Sequence, residues 1–246
     1  MLFFISVHSL SLPHKIQLRQ VIKMSLDELK TLKLPNYTEG EEKFNWMSHA
    51  IGICAGVIIL IICLSLAIYN NHNANSIVSL IIYGLSMCAV YFISTIYHSS
   101  KPLSFNKRLR RVLDHCTIYL LIAGTYTPLC IIAFSSNIEG IILLILEWAL
   151  AIGGIILTSV WFNSKIAKVI SFIFYIILGW AIMFFPSLIE VLSPTSFLFI
   201  LIGGITYTLG SILYGIGHSK TYFHCIFHVF CLLGTLIQAI GIIVLL

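Results

Sequence analysis

The sequence contains few charged residues. Asp, Glu, Lys and Arg together make up only 9% of the 246 positions, whereas a soluble globular domain carries about 25%. Hydrophobic residues account for 59% of the chain, against roughly 45–50% in soluble domains. These proportions exclude an ordinary soluble domain and are typical of a protein that crosses a membrane several times.

The sequence also lacks the cysteine patterns of disulfide frameworks and of sulfur-based metal sites. It has seven cysteines, all in or near apolar segments, and no two of them form a Cys-x-x-Cys pair. We therefore interpret them as small buried side chains rather than as disulfide partners or iron–sulfur ligands. Only nine residues are Asp or Glu, which argues against a calcium site because calcium needs several carboxylates.

Long apolar segments are what the sequence does contain. About 20 residues of helix cross the roughly 30 Å hydrocarbon core of a bilayer, and seven segments reach that length. They are His49–Tyr69, Ile77–Tyr97, Val112–Phe134, Ile141–Trp161, Val169–Leu188, Phe197–Ile216 and His224–Leu246. The sequence therefore predicts an all-α, polytopic membrane protein with a bundle of seven transmembrane helices.

The basic residues all fall on one side of this arrangement. Of 14 Lys and Arg, six precede the first predicted span, five lie between the second and third, two follow the fourth and one follows the sixth. Cytoplasmic loops are enriched in Lys and Arg. We therefore expect a cytoplasmic N-terminus, a C-terminus outside, and an integral, multi-pass protein of the plasma membrane.

We divide the chain into a cytoplasmic tail, residues 1–43, and a seven-helix membrane domain, residues 44–246. In the tail, Ser25 and Glu28 have the spacing of a helix capping box. This spacing predicts a short helix on the membrane surface, and a tail without fixed structure is the alternative.

A few polar residues lie within or at the ends of the predicted spans, where such groups are costly and often functional. They are His49, Ser94, His98, Asp114, His115, Glu147, His218, His224 and His228. The predicted topology places all of them except Glu147 toward the cytoplasmic face. Each has a structural alternative: a histidine could sit at the interface, a serine could bond to its own helix, and Asp114 could cap its helix.

Two of the histidines have a spacing that favours metal binding. His224 and His228 are one helical turn apart and share a helix face. A third histidine at the same depth would complete a set of three imidazoles, which binds zinc and leaves a position for a nucleophilic water. Asp114 could accept a proton from that water or hold a histidine in the right tautomer, and Ser94 could donate to the water or to a developing oxyanion.

The same residues carry a resemblance to a known family. The segment EEKFNWMSHAIG resembles the first motif of the hemolysin III proteins, within the wider progestin and adipoQ receptor family, and includes Glu42, Asn45, Ser48 and His49. STIYHSS with the later LDHCTIYLLIAGTYTP resembles the second motif, and HCIFH resembles the third. The resemblance covers nearly all of the membrane portion, but Glu147 and His218 are not part of its pattern.

The resemblance implies a zinc ion, Zn²⁺, on the cytoplasmic side. Its ligands would be His98, His224 and His228. Ser94 and Asp114 would lie next to these ligands without binding the metal themselves. It places His49 near the site without making it a ligand. Relatives in this family are linked to cytolysis and to zinc-dependent hydrolysis of ceramide.

These observations lead to one main functional prediction and two alternatives. The main prediction is a zinc-dependent hydrolase of a lipid amide, with Asp114 and Ser94 as catalytic side chains. The alternatives are a cytolytic, pore-forming protein and a receptor or membrane-homeostasis protein with a structural zinc. Membrane lipids are the expected partners and a homo-oligomer could form. No nucleic-acid partner is expected, because the basic run NKRLRR, residues 106–111, is interpreted as an anchor at the membrane surface.

Overall fold

The computed structural model describes residue 27, residues 29–217 and residues 220–246, and no strand occurs among them. From Glu39 onward the chain forms α1 (Glu39–Tyr69), α2 (Ala74–His98), α3 (Phe105–Pro128), α4 (Ile138–Trp161), α5 (Lys165–Gly179), α6 (Pro186–Val191), α7 (Pro194–Gly217) and α8 (Phe223–Ile243). A π-helical turn, Leu129–Ala133, extends α3, and a 3-10 turn, Ala181–Phe184, joins α5 to α6. The predicted all-α class is confirmed.

Six helical segments are long and apolar enough to cross a membrane. They are α1, α2, α3 with its π-helical turn, α4, α7 and α8. Large apolar side chains cover their outer faces; on α1, for example, Ile51, Ile58 and Ile61 are all more than half exposed. An apolar outer surface is what lipid requires, so the structure fits a membrane protein.

The structure differs from the prediction at the fifth predicted span, Val169–Leu188. There α5 ends at Gly179 after 15 residues, and the chain continues through the 3-10 turn into α6. The hydroxyl of Tyr126 on α3 accepts a hydrogen bond from the Ile182 amide at 3.2 Å and donates to the Gly179 carbonyl at 3.3 Å. A tertiary contact thus satisfies the backbone groups that the interruption frees. The described residues contain six long spans rather than the seven predicted.

The first helix begins inside the predicted tail. Thr38 accepts a hydrogen bond from the Glu41 amide at 3.2 Å, and the Glu41 carboxylate accepts one from the Thr38 amide at 2.9 Å. This capping box starts α1 ten residues before the predicted span. The first three turns of α1 therefore carry polar side chains into the bundle.

The segment before α1 packs on the bundle. Leu32 is buried against Val112, Cys116 and Phe162. Residue 27 and residues 29–31 are helical, whereas Ser25 and Glu28, the predicted capping pair, lie outside the described residues.

The helices pack in an order that brings the first and last together. α1 packs against α2 and α8, α2 packs against α3, and α7 packs against α8. Gly52 permits the close approach of α1 to α2, because a Cβ there would lie 2.5 Å from Cδ1 of Tyr91. As a result, the end of α2 and the start of α8 face each other across the first turns of α1.

Candidate metal centre

Three histidines converge at one end of the bundle, which we call the metal-centre end. His98 is the last residue of α2, and His224 and His228 lie in the first two turns of α8. Nε2 of His224 is 3.3 Å from Nε2 of His98 and 3.0 Å from Nε2 of His228. All three rings offer ligand atoms within 4.8 Å of one another. The structure thus brings together the three proposed ligands, and they could hold a metal ion.

The donor set fits a cation such as zinc. A neutral imidazole has one N–H and one acceptor nitrogen, so Nε2 of His224 cannot serve both neighbouring rings well by hydrogen bonding. Two nitrogens bound to one zinc at about 2.0–2.1 Å in tetrahedral geometry lie about 3.3 Å apart. The observed separations of 3.0 and 3.3 Å are close to that value.

Two of the three rings are buried and that of His224 is partly buried, and aromatic neighbours hold two of them. Tyr37 stacks on His224 with a centroid distance of 4.8 Å, and His49 stacks on His228 at 3.8 Å. His98 and His228 are each only 2% exposed. Burial raises the pKa of the Tyr37 phenol, so this ring stays neutral at physiological pH.

The third ring, that of His98, is held by polar contacts from α1. Oε2 of Glu42 lies 2.7 Å from Nδ1 of His98, and Nδ2 of Asn45 lies 3.5 Å from the same nitrogen. Oε1 of Glu42 lies 2.6 Å from Nζ of Lys107 at the start of α3. The first motif of the sequence therefore reaches a ligand histidine directly.

His49 lies beside the three histidines and is not one of the metal-binding group. Its ring stacks on His228 and meets Tyr91 edge-on at 5.1 Å. Neither of its ring nitrogens has a hydrogen-bond partner among the described residues. This placement agrees with the expectation of a residue near the site.

The two predicted catalytic side chains lie together at the same end. Asp114, in the third turn of α3, lies near Ser94 and His98 of α2. Both side chains line a cavity together with His224 and His228. The arrangement places a carboxylate and a hydroxyl beside two of the metal-binding rings.

The cavity has a volume of about 200 Å³ and runs from the histidines into the bundle. It is lined by both His228 and Gln238, which are ten residues and therefore about 15 Å apart along α8. Beyond the polar end its walls are mainly apolar, with Leu121, Leu129 and Phe172 among them. A narrow apolar cavity with a polar end can accept a hydrocarbon chain that carries a reactive carbonyl.

The remaining polar candidates lie outside the metal-binding group. His115 also lines the cavity, but its Nδ1 lies 2.9 Å from the Arg111 carbonyl oxygen and its ring meets Phe162 edge-on. Glu147 is buried in α4, and its Oε2 has no hydrogen-bond partner among the described residues. His218 lies outside the described residues.

Sequence reasoning missed two residues of the centre. Lys107 was interpreted as one of several membrane-surface anchors, yet it is only 3% exposed. Its pairing with Glu42 joins positions 65 apart, and neither residue's neighbours in the sequence indicate it. Nothing in the sequence indicates Tyr37 as a candidate, because this residue lies before the first apolar segment.

Comparison with known proteins connects this geometry to a family. The family described as "Haemolysin-III related" matches residues 37–239. The chain is 38% identical to Hemolysin-3 of Bacillus cereus over 196 residues, which cover 79% of this chain and 87% of that protein. It is 34% identical to the Hemolysin-3 homolog of Bacillus subtilis (strain 168) over 200 residues, 81% of this chain and 91% of that protein.

A more distant similarity reaches human proteins. The chain is 26% identical to the human Monocyte to macrophage differentiation factor over 162 residues, 61% of this chain and 62% of that protein. The family match and the six long apolar helices show an integral, multi-pass membrane protein. The resemblance found in the three motifs is confirmed, and the chain belongs to the Haemolysin-III related family.

Proposed function

We propose that this protein is a zinc-dependent hydrolase that cleaves an amide bond of a membrane lipid. The observation that carries the proposal is that Asp114 and Ser94 line a mainly apolar cavity together with His224 and His228, two of the three histidines that could hold a metal ion. The polar end suits a carbonyl group, and the walls suit an acyl chain. The site would therefore receive a lipid with its amide beside the histidines.

His98, His224 and His228 would hold the zinc ion. When bound, zinc would polarise a carbonyl and make a water molecule nucleophilic near neutral pH. Asp114 would accept a proton from the attacking water and pass it to the leaving nitrogen. Ser94 would donate a hydrogen bond to the carbonyl oxygen as negative charge develops there. Water adds across the C–N bond, so the products are a free fatty acid and an amine.

Release of fatty acid from ceramide tests this proposal directly. The purified zinc-loaded protein should release it from detergent-solubilised ceramide, and Asp114→Asn should bind zinc but release fatty acid about 10²–10⁴-fold more slowly. Glu190→Gln, at an exposed position in α6, serves as the control and should behave as the wild type. Absence of release from a broad panel of lipid amides and esters would overturn the proposal.

We also propose that α5, the 3-10 turn and α6 together form a seventh crossing. α5 begins four residues after α4 ends, and Ser187 in α6 hydrogen-bonds Glu139 in the first turn of α4. The interrupted segment therefore covers the same height as α4, whose 24 residues extend about 36 Å.

A seventh crossing supports a cytoplasmic N-terminus, since it places Lys220, between α7 and α8, on the same side as every other Lys and Arg. The metal centre would then face the cytoplasm. Single cysteines placed at Asn163, before α5, and at the exposed Ser193, after α6, test this topology. An impermeant thiol reagent should label position 193 from outside intact cells and leave position 163 unlabelled; the same labelling at both positions, or the reverse pattern, would contradict it.

Cytolysis is the second candidate, favoured by the names of the two Bacillus relatives. A pore needs a polar path, but the cavity walls are mainly apolar, so lysis would require an oligomer. This candidate predicts that purified protein releases dye from vesicles of pure phosphatidylcholine, with or without His224→Ala. Intact vesicles at every protein density would exclude it.

A structural zinc in a receptor is the third candidate, favoured because the three ligands come from two helices and could simply tie α2 to α8. It predicts that metal removal lowers thermal stability while no lipid is hydrolysed by either form. Fatty-acid release that requires the metal would decide against it.

A further inference from the structure

The carboxylate of Glu42 is shared between two partners that belong to different helices. One oxygen lies 2.7 Å from Nδ1 of His98 on α2, and the other lies 2.6 Å from Nζ of Lys107 on α3. The side chains of His98 and Lys107 are 0% and 4% exposed, while that of Glu42 is 20% exposed. Both carboxylate oxygens of Glu42 therefore have a partner, and one of these partners is a histidine of the metal-binding group.

We propose that Glu42 is the positioning residue of the metal centre, holding the His98 ring so that Nε2 faces the other two ligands. This inference rests on the proposed metal site, but it does not depend on lipid hydrolysis. With a metal on Nε2, Nδ1 keeps its proton and donates a hydrogen bond to Oε2 of Glu42, so the Asn45 amide nitrogen, which is also a donor, adds no hydrogen bond there. Such carboxylate contacts fix the tautomer and orientation of histidine ligands.

His98 needs this contact more than the other two ligands do. It is the last residue of α2, where the helix ends. Tyr37 and His49 stack on His224 and His228 with their rings within 15° of parallel, whereas the Tyr37 and Tyr97 rings near His98 are tilted by at least 50°. In addition, the Nδ1 atoms of His224 and His228 have no hydrogen-bond partner among the described residues. The carboxylate is therefore specific to one ligand.

Lys107 in turn fixes the position of Glu42. Its ammonium group also lies 3.4 Å from the Ser100 carbonyl oxygen and 5.4 Å from the centre of the Tyr97 ring. A buried ammonium ion requires an anionic partner, and Glu42 is its acidic partner in the described part of the chain. The ion pair joins the first turn of α1 to the first turn of α3, so the carboxylate cannot easily turn away from His98.

The neighbouring acid provides a natural control. Glu41 is also buried, but one of its oxygens lies 2.7 Å from the Tyr222 amide before α8 and the other binds Thr38. It therefore connects helix ends without touching a ligand ring. Glu39, in the same turn, is exposed.

The test compares the affinity of purified full-length variants for zinc and for cobalt, measured by competition with a chelator. Glu42→Gln keeps the size of the side chain but removes its charge, and should weaken binding by roughly 10–100-fold. The absorption spectrum of the cobalt-loaded variant should also change, because the His98 ring is free to reorient. Glu39→Gln should bind both metals within about twofold of the wild type, and Glu41→Gln should give the wild-type cobalt spectrum even if its metal-free form melts at a lower temperature.

The double variant Glu42→Gln with Lys107→Met separates positioning from simple stabilisation. It removes the unpaired ammonium, so the metal-free form should melt near the wild-type temperature while metal affinity stays as weak as in Glu42→Gln. Wild-type affinity in Glu42→Gln, or full recovery of affinity in the double variant, would overturn the proposal. These outcomes are distinct from failure of the proposed function, which would appear as a wild-type protein that binds zinc normally but hydrolyses no lipid.

Discussion

The two ends of the bundle each contain an acidic side chain within the structure, and these two side chains are paired differently. At the metal-centre end, side chains from α1, α2, α3 and α8 contact one another, and Glu42 has a partner for each oxygen. Toward the other end, the buried Glu147 leaves Oε2 without a partner among the described residues. There the backbone itself is irregular, with a π-helical turn after Pro128 and the interruption after Gly179. Side-chain contacts organise the first end, and local changes of helix geometry characterise the second.

This difference separates the end of the bundle that contains the candidate functional site from the end that contributes to the fold. Charges in the membrane interior are kept where they bind ions, substrates or one another, and the metal-centre end has this character. At the interruption after Gly179, the Tyr126 hydroxyl pairs with the Gly179 carbonyl and the Ile182 amide and so connects this segment to α3. Changes at the first end should therefore alter metal binding and chemistry, while changes at the second should alter stability alone.

The largest expected effect is the loss of a ligand. His224→Ala removes the ring whose Nε2 lies between those of His98 and His228, so the purified protein should retain essentially no zinc. Metal analysis by mass spectrometry measures this directly. His72→Ala is the control and should retain the wild-type zinc content. His72 lies between α1 and α2, at the opposite end of α2 from His98.

The second largest effect is expected on the rate of fatty-acid release and not on the zinc content. Asp114→Asn keeps the size of the side chain but cannot accept a proton, so fatty-acid release should fall by about 10²–10⁴-fold. Zinc content should stay at the wild-type level, because Asp114 is outside the metal-binding group. Equal loss of zinc and of activity would instead assign Asp114 to metal binding.

A smaller effect is expected where the helix is interrupted. Tyr126→Phe removes the hydroxyl that serves both Gly179 and Ile182, and should lower the free energy of unfolding by about 1–3 kcal/mol. Tyr83→Phe is a matched control, since the Tyr83 hydroxyl has no partner among the described residues. Denaturation in detergent measures both variants, and an equal effect of the two would show that the Tyr126 hydrogen bonds contribute nothing.

The smallest effect, and the only stabilising one, is expected at Glu147. Replacing a buried acid that lacks a partner by an apolar side chain of similar length is neutral or favourable. Glu147→Met should therefore leave zinc content unchanged and raise the free energy of unfolding by about 1 kcal/mol. A drop in zinc content would mean that both ends of the bundle contribute to metal binding.

Much of the fold could be predicted because it depends on local composition. The six long helices coincide with apolar segments of sufficient length, and the one-turn spacing of His224 and His228 indicated a shared face. The interruption after Gly179 could not be predicted, because IILGWAIMFF is apolar throughout and the break depends on contacts with Tyr126. Local sequence specifies where helices can form, and tertiary contacts decide whether they continue.

The candidate site could be predicted only in part, for a similar reason. The topology placed His98 at the same depth as the two histidines of α8, and the structure brings them together. The sequence also marked Glu42 as part of a motif, but it did not indicate which side chain Glu42 contacts. Its pairs with His98 and Lys107 join positions 56 and 65 apart, so they follow from helix packing and not from any local pattern.

X-ray absorption spectroscopy of the purified zinc-loaded protein shows directly whether His98, His224 and His228 bind the metal. We predict one zinc per chain with three imidazole nitrogens at about 2.0–2.1 Å and one oxygen, and loss of this spectrum in His98→Ala. A protein that binds no zinc, or a spectrum without histidine ligands, would contradict the proposed zinc site.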